Sequence, residues 1–388
     1  MDLRINKISL YNINGIHNGN INLTKFNEEG DIPNLIGIFG PNGTGKTSVL
    51  EALLSVKNFV VGNPINPKLV GNYDSFAKIS LEIVDNVNLI YNFFVKFSRN
   101  DIISEKLVID DCEIYSIGEG SFNYPKIFSN VTDVKTLLDK GSLQSIFFRE
   151  SCFDIIRLRL NNSNLDLFVK FFKNLTYISA NYAYNGAIPI RLGDKMYNLL
   201  KRLHLTYDWY NHLSLVYNRL NIVLKKLLKR ELILCDRGPV IDNVREYQTM
   251  VRYKDILIDI TEESLGIKRL ILYLIYLIPL MDDSDSCLCI DEIDSGIFEL
   301  LLKELLLATD STLSGQFVFT AHNFEAINVL QSESVVIATL DDNDRFISFN
   351  DYHVLDAYLD NIRNDQVGRF YEYINTYDLR DLLKGVSD

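Results

Sequence analysis

Apolar and polar positions alternate along roughly the first hundred residues, with the period of two that half-buried β-strands show. Asn-Gly pairs at residues 14–15 and 18–19 interrupt the alternation and mark turns. Three further runs of this kind follow, at residues 80–84, 89–97 and 106–109. The first apolar positions of the pattern are Ile5, Ile8, Leu10, Ile13, Ile21 and Leu23. Together these runs predict an antiparallel β-meander at the N-terminus.

The period changes near Thr132, and helical spacing dominates from there to about Cys235. The clearest helix places apolar side chains three and four residues apart, at Trp209, Leu213, Val216, Leu220, Val223 and Leu227. Its end carries a basic cluster formed by Lys225, Lys226, Lys229 and Arg230. This cluster either contacts the phosphates of a nucleic acid or is an ordinary solvated helix end, where basic residues suit the helix dipole.

An α/β pattern resumes after Cys235 and continues to about Asp341, which indicates a helical block inserted into a split α/β domain. We expect an N-terminal lobe at residues 1–130 and a helical insert or lid at residues 131–238. A C-terminal lobe at residues 239–345 and an acidic helical segment at residues 346–388 complete the predicted organisation.

The net charge of the 388-residue chain is −12, which argues against a large nonspecific surface for nucleic acid but leaves room for a local one. The five cysteines are scattered and form no metal-ligand array, as in proteins with reduced thiols in the cytoplasm. The apolar run at residues 270–281 is shorter than the ~20 residues that span a bilayer. It therefore predicts a core helix, and we expect a cytoplasmic protein without membrane contact.

A glycine-rich loop follows the apolar strand at residues 35–39 and precedes an apolar helix at residues 48–54. The loop matches the phosphate-binding pattern G-x-x-x-x-G-K-[ST] at every fixed position. Its backbone N–H groups and the helix N-terminus favour an anion, so we expect bound ATP or GTP with Mg²⁺. Lys46 is expected to reach the β- and γ-phosphates, and Thr47 the metal. The expected nucleotide contacts come from Gly40, Pro41, Asn42, Gly43, Thr44, Gly45, Lys46, Thr47 and Ser48.

Two adjacent carboxylates follow a second apolar strand at residues 287–290. In a phosphate-loop protein Asp291 is expected to hold Mg²⁺, and Glu292 to polarise the attacking water as general base. A plain acidic turn is the alternative interpretation.

A third apolar strand, at residues 317–320, leads to His322. A histidine at this position can hydrogen-bond the γ-phosphate, although a lone histidine can also be structural. Upstream, Ser264, Gly266 and Lys268 stand at the start of the long apolar helix. They form either a second anion-binding helix end or simply an N-cap.

The order of these motifs resembles the ABC-type ATPase head of the SMC/RecF superfamily, and the details resemble its OLD-like or AAA-15 branch. The opening residues 5–16, the phosphate loop, and the Asp-Glu strand with its D-loop at residues 291–296 carry the resemblance. Glu263 and Leu265 depart from the usual Leu-Ser-Gly-Gly signature, and Phe298 stands where relatives often have His or Asp. Gln144 is a candidate for the Q-loop glutamine.

The resemblance implies a homo-oligomer in which ATP lies between two heads. Ser264, Gly266, Lys268 and Asp294 would then contact the nucleotide held by the phosphate loop of another subunit. Stand-alone heads of this branch, such as the ATPase of PARIS-type systems, work beside a separate effector in anti-phage defence, typically a nuclease or toxin. A RecF-like DNA-repair ATPase and a noncatalytic nucleotide-binding scaffold remain as alternatives.

Overall fold

The structure is a computed structural model that describes residues 2–24, 32–118, 121–123, 143–145, 148, 163–179, 181–182, 185–342, 345–349 and 351–363. The chain forms two compact units. The first unit comprises Met1–Lys173 and His322–Asp388, and the second unit comprises Asn174–Ala321.

A seven-stranded antiparallel sheet forms the body of the first unit. Alternation of apolar and polar residues produces this sheet. On one strand Ile79, Leu81 and Ile83 point inward, whereas Lys78 and Ser80 point outward. The predicted meander is therefore confirmed. Its strands are β1 (Arg4–Ile13), β2 (Ile16–Asn22), β4 (Phe76–Val84), β5 (Ile90–Ser98), β6 (Ile102–Ile109), β7 (Cys112–Gly118) and β8 (Ser121–Asn123). They pair in the order β2-β1-β4-β5-β6-β7-β8.

Helices α1 (Lys46–Val60) and α2 (Ser163–Asn174) place their apolar side chains in the core of the first unit. The ring of Phe168 on α2 packs against Tyr91 and Phe93 on the sheet, and Phe59 on α1 also meets Phe93. Aromatic pairs of this kind add to the stabilisation from buried apolar area.

The phosphate loop follows one of three further strands of the first unit. Strand β3 (Leu35–Phe39) pairs in parallel with β18 (Val335–Ala338), and β19 (Phe346–Ser348) pairs with β18 antiparallel. Every residue of β3 is buried, as expected for a strand covered on both faces. Helix α6 (Tyr352–Arg363) follows β19.

The second unit contains a parallel group of β9 (Leu175–Ile178), β16 (Cys287–Ile290) and β17 (Gln316–Ala321), with β16 in the middle. Its helices are α3 (Tyr207–Leu228), α4 (Leu265–Leu280) and α5 (Glu299–Asp310). A hairpin joins β10 (Pro189–Leu192) and β11 (Lys195–Asn198). A separate antiparallel sheet consists of β12 (Leu203–Thr206), β13 (Arg230–Asp236), β14 (Val244–Tyr253) and β15 (Ile256–Asp259).

The α/β class with an N-terminal meander is confirmed, and the middle block, in which the sequence predicts mainly helices, also contains strands. Its described residues contain strands β9 to β13 beside α2 and α3. Strands β9 to β12 have four residues each, too short to show a period of two against the neighbouring helical spacing. The predicted domain limits stay a prediction, and residues 364–388 of the acidic segment lie outside the described part.

Two members of the basic cluster at the end of α3, Lys225 and Arg230, have acidic or aromatic partners within the second unit. Lys225 pairs with Glu231 at 2.6 Å, and its hydrogen bond is the main cause that lowers the pKa of Glu231. Arg230 pairs with Glu263 at 2.9 Å and lies over the ring of Tyr253. These contacts favour the interpretation as an ordinary helix end. Within the described ranges, no helix is long and apolar enough to cross a bilayer.

Candidate nucleotide site

The phosphate loop joins β3 to α1 in the first unit, in the strand–loop–helix order that the sequence predicts. Gly45 is the N-cap of α1 and has φ of +93°, a conformation that residues with a Cβ rarely adopt. A Cβ on Gly45 would also lie 2.7 Å from Cγ1 of Ile16. Glycine at this position therefore lets the loop turn tightly into the helix.

The ammonium group of Lys46 lies at the centre of this loop, and the residue is only 4% exposed. Its Nζ donates hydrogen bonds to the carbonyl oxygens of Gly40 at 2.6 Å and Pro41 at 2.8 Å. The hydroxyl of Thr44 donates to the same Pro41 carbonyl. A buried cation held by neutral carbonyls can exchange them for phosphate oxygens, and this donor set fits a nucleotide phosphate.

His322 lies beside this lysine in the first unit, with Nδ1 3.2 Å from Lys46 Nζ. An ammonium group has donors but no acceptor, so Nδ1 accepts in this contact and the ring proton resides on Nε2. The two side chains predicted to meet the γ-phosphate are therefore neighbours.

The first turn of α1 contains Thr47 and Ser48, whose side chains differ in surroundings. The Ser48 hydroxyl is buried and accepts a hydrogen bond from Asn14 Nδ2 at 3.0 Å. Asn14 Nδ2 also donates to Glu51, one turn further along the helix. Because its hydroxyl is buried beside Asn14, Ser48 is expected to contact a nucleotide through its backbone N–H, whereas the partly exposed Thr47 stays the candidate metal ligand.

The Asp-Glu pair stands at the end of β16 in the second unit, and Thr320 on β17 links its two members. Thr320 Oγ1 donates to Asp291 Oδ1 at 2.7 Å and accepts the backbone N–H of Glu292 at 2.8 Å. Glu292 has φ of +49°, which is uncommon for a residue with a Cβ. Strain of this kind persists where neighbours hold it and often marks functional positions.

Replacing Thr320 with valine removes this hydroxyl at nearly constant volume, whereas serine keeps it. We expect Thr320→Val to lower the free energy of unfolding by about 1–3 kcal/mol, because a buried acceptor and a backbone donor each lose a partner. Phosphate release should fall as well, and Thr320→Ser should retain most of both properties. Urea denaturation and a phosphate-release assay check this, and equal values for the two variants would contradict the linking role.

The signature segment begins α4, and Ser264 is its N-cap, with Oγ accepting the backbone N–H of Ile267 at 3.3 Å. A Cβ on Gly266 would lie 2.4 Å from the carbonyl oxygen of Gly296, so glycine is required where the signature meets the D-loop. Ser264 is exposed, and the ammonium of Lys268 donates to the carbonyl of Thr261 at 2.6 Å.

The departure at Glu263 has a structural cause. Its carboxylate is buried and paired with Arg230, so the segment is anchored by an ion pair where related signatures place a leucine. Leu265, the other departure, is the first residue of α4 and is partly exposed. Phe298 is the N-cap residue of α5 and is 74% exposed.

Arg269 and Tyr273 connect the signature helix with the acidic residues of the same unit. Arg269 is 1% exposed and donates to the carbonyl of Ser295 in the D-loop. Burial raises the pKa of Tyr273, and the charges of Asp294, Asp291 and Glu292 raise it further, while that of Arg269 lowers it. Arg269 therefore anchors the start of α4 to the D-loop.

Sequence reasoning assigned no role to Asn14, Arg269 or Thr320, because their partners lie 26 or more residues away along the chain. The Asn-Gly pair at residue 14 was visible only as a turn signal. Gln144 forms an isolated bridge with Pro64, and its Q-loop role stays a prediction.

The class of protein is a P-loop ATPase. Its features are two groups of parallel strands, a glycine-rich loop around a buried lysine, and an Asp-Glu pair at the end of a strand. The sequence profile of the family described as "AAA domain, putative AbiEii toxin, Type IV TA system" matches residues 35–328. The chain therefore belongs to this family of AAA-domain proteins.

Two solved structures of low sequence identity share the fold. An Smc head bound to the C-terminal winged-helix domain of ScpA has a TM-score of 0.51 at 12% identity, over 91% of this chain and 99% of that one. A Pyrococcus furiosus Smc head with an extended coiled coil, bound to the C-terminal domain of ScpA, has a TM-score of 0.51 at 10% identity, over 93% and 100% of the chains. The recombination mediator RecF with ATP has a TM-score of 0.41 at 11% identity, over 83% and 94%. Comparison with curated proteins gave no match.

Proposed function

We propose that this protein is a Mg²⁺-dependent ATPase of the OLD-like or AAA-15 type, which hydrolyses ATP to ADP and phosphate. The observation that supports this most directly is the buried Lys46 ammonium in its glycine loop, 3.2 Å from His322. Lys46 would hold the β- and γ-phosphates, and His322 would hydrogen-bond the γ-phosphate. The loop backbone from residue 40 to residue 48 would supply the remaining contacts.

Mg²⁺, when bound, would neutralise charge on the phosphates, and Thr47 and Asp291 are its proposed ligands. Glu292 would take a proton from the attacking water as general base. Thr320 would keep the Asp291 carboxylate and the Glu292 backbone in place for these roles.

We further propose that ATP lies between two heads of a homo-oligomer. Ser264, Gly266, Lys268 and Asp294 would contact the nucleotide held by another subunit. The exposed Ser264 at the N-terminus of a 16-residue helix supports this, because such an end attracts an anion. One head alone would then hold half of each site and hydrolyse slowly.

The output that we propose is regulation of a separate effector, such as a nuclease or toxin, in anti-phage defence, as in PARIS-type systems. The family description, "putative AbiEii toxin, Type IV TA system", supports a role in a system of the toxin–antitoxin kind. The two Smc heads bound to ScpA domains show that heads of this fold bind separate proteins. Nucleotide binding would close the oligomer and hydrolysis would open it.

Substitution of Ser264 tests whether ATP lies between two heads, an arrangement called the ATP sandwich below. The N-cap is preserved, since Asp and Asn cap helices about as well as Ser. We expect Ser264→Asp to abolish the rise in light-scattering mass that Mg²⁺ and a non-hydrolysable ATP analogue cause, because its charge repels a γ-phosphate. Ser264→Asn should keep the rise.

The same experiment includes a phosphate-release assay on the unmodified chain. Nucleotide binding without phosphate release would select a noncatalytic scaffold instead of an ATPase. An identical mass for Ser264→Asp and Ser264→Asn, with nucleotide bound in both, would contradict the sandwich.

A further inference from the structure

Arg345 is a buried arginine of the first unit, 6% exposed, and it directly precedes β19. Its backbone carbonyl accepts the N–H of Thr339 at 2.9 Å, just past the end of β18. The end of β18 runs beside the phosphate loop, because a Cβ on Gly40 would clash with the carbonyl of Ala338. Arg345 therefore lies close to the first residue of the loop.

The guanidinium of Arg345 reaches the turn between β1 and β2, where Nη2 donates a hydrogen bond to the carbonyl oxygen of Gly15 at 2.7 Å. The carboxylate of Asp342 is half-exposed and lies 4.0 Å from Nη1, which is too far for a hydrogen bond. Nε is buried and has no hydrogen-bond partner among the described residues. Burying a charge with few partners costs free energy, so the stability of the fold alone is a poor explanation for this arginine.

The turn that Arg345 holds is also tied to the helix that begins at the phosphate loop. Asn14 Nδ2 donates to the Ser48 hydroxyl and to the Glu51 carboxylate, each at 3.0 Å. The side chain of Ile16 lies against Gly45, at the end of the loop. Residues 14 and 16 thus contact the start of α1, and Arg345 binds the residue between them.

The conformation of this turn is one that its neighbours must maintain. Asn14 has φ of +51°, in the left-handed region that residues with a Cβ seldom adopt. Such a conformation persists where surrounding contacts hold it, and it often marks functional positions. Gly15 is exposed, and a Cβ there would meet no described atom within 4 Å. The space in front of the turn is therefore open to a ligand.

We propose that Arg345 is a positioning residue for nucleotide binding, which holds the turn at residues 14–16 against the nucleoside half of ATP. This inference rests on the proposed ATPase function. Lys46 would hold the β- and γ-phosphates, and the loop N–H groups the α- and β-phosphates. The ribose and base would then lie beside Ser48, where the turn contacts α1. Because Arg345 acts through the turn and not on the γ-phosphate, it affects ATP and ADP alike.

Arg345→Met tests the proposal on the full chain, because it keeps an unbranched apolar side chain and removes the donors. We expect the Kd for ATP and the Kd for ADP to rise together, by about tenfold each, which is the effect of one hydrogen bond from a charged group. The KM for ATP should rise while kcat stays the same, since the contacts to the γ-phosphate are intact. Arg345→Lys can still donate to the Gly15 carbonyl and should recover most of the affinity. Isothermal titration measures both Kd values.

Asn14→Gly releases the same turn at its other attachment, and glycine adopts the left-handed conformation without strain. This variant should raise the Kd for ATP and for ADP in the same proportion. Amide hydrogen exchange at residues 14–17 should be faster in both Arg345→Met and Asn14→Gly, because each loses a contact that holds the turn.

The matched control is Arg4→Met, in which an arginine of the same unit loses its donors at the other end of β3. Arg4 Nε donates to Asn34 at 2.8 Å, just before that strand, whereas the phosphate loop follows it. Arg4→Met should bind both nucleotides as the unmodified chain does, even if its melting temperature falls. Thermal denaturation shows which variants are folded.

Equal Kd values for Arg345→Met and Arg4→Met would overturn the proposal. A rise in the Kd for ATP without a rise for ADP would also overturn it, because Arg345 would then act on the γ-phosphate. If Arg345→Met does not fold, normal affinity of Asn14→Gly for both nucleotides would overturn it instead. Nucleotide binding by the unmodified chain without phosphate release would reject the ATPase, while the two Kd values would still decide the role of Arg345.

Discussion

Replacing Lys46 with alanine is expected to weaken ATP binding by roughly tenfold to a hundredfold and to stop phosphate release. A hydrogen bond to a charged group contributes about 1.5–3 kcal/mol, and each 1.4 kcal/mol is about tenfold in affinity. The ammonium is buried and already positioned by the carbonyls of Gly40 and Pro41, so a phosphate meets it without further ordering of the side chain. Isothermal titration with Mg-ATP measures the affinity.

Lys57→Ala is the matched control, because Lys57 lies on the same helix in its last turn, away from the loop. It should bind ATP as the unmodified chain does. If Lys46→Ala bound ATP normally while remaining folded, the loop would not be the nucleotide site, and the proposed function would fail at its first step.

Local patterns predicted the parts of this fold whose signals are continuous in sequence. The alternation at residues 80–84 and 89–97 became strands β4 and β5, and the apolar runs at 35–39 and 287–290 became buried parallel strands. The loop at residues 40–47 was recognisable because every fixed position of its pattern is consecutive. Strands β9 to β12 were missed because four residues carry too little periodicity.

Contacts between distant residues were not accessible to this reasoning. In the sequence, Glu263 is only a departure from the usual signature. The structure explains it, because Arg230, 33 residues earlier, pairs with its carboxylate. Thr320 reads as one residue of an apolar strand, and its link to Asp291 and Glu292 exists only when β16 and β17 pair. The contact between Arg345 and Gly15 likewise joins residues that are 330 positions apart along the chain.

Replacing Glu292 with glutamine is expected to keep ATP bound while phosphate release falls by about 10²–10⁴-fold, the usual contribution of a general base. The change is nearly isosteric, and the Glu292 N–H would still donate to Thr320, so the loop geometry should persist. With hydrolysis blocked, the closed oligomer should accumulate. Light scattering should therefore show a larger mass with Mg-ATP than without it.

Glu304→Gln, on the exposed face of α5, makes the same chemical change away from the acidic pair and should hydrolyse ATP normally. Normal hydrolysis by Glu292→Gln would reject Glu292 as the base, since the amide cannot accept the proton from water. Slow hydrolysis with an unchanged monomer mass would keep the base but reject the sandwich. An oligomer of constant mass with and without ATP would mean that other surfaces assemble the protein. In that case nucleotide would act within a preformed complex, and the signal to an effector would be a change of shape rather than of subunit number.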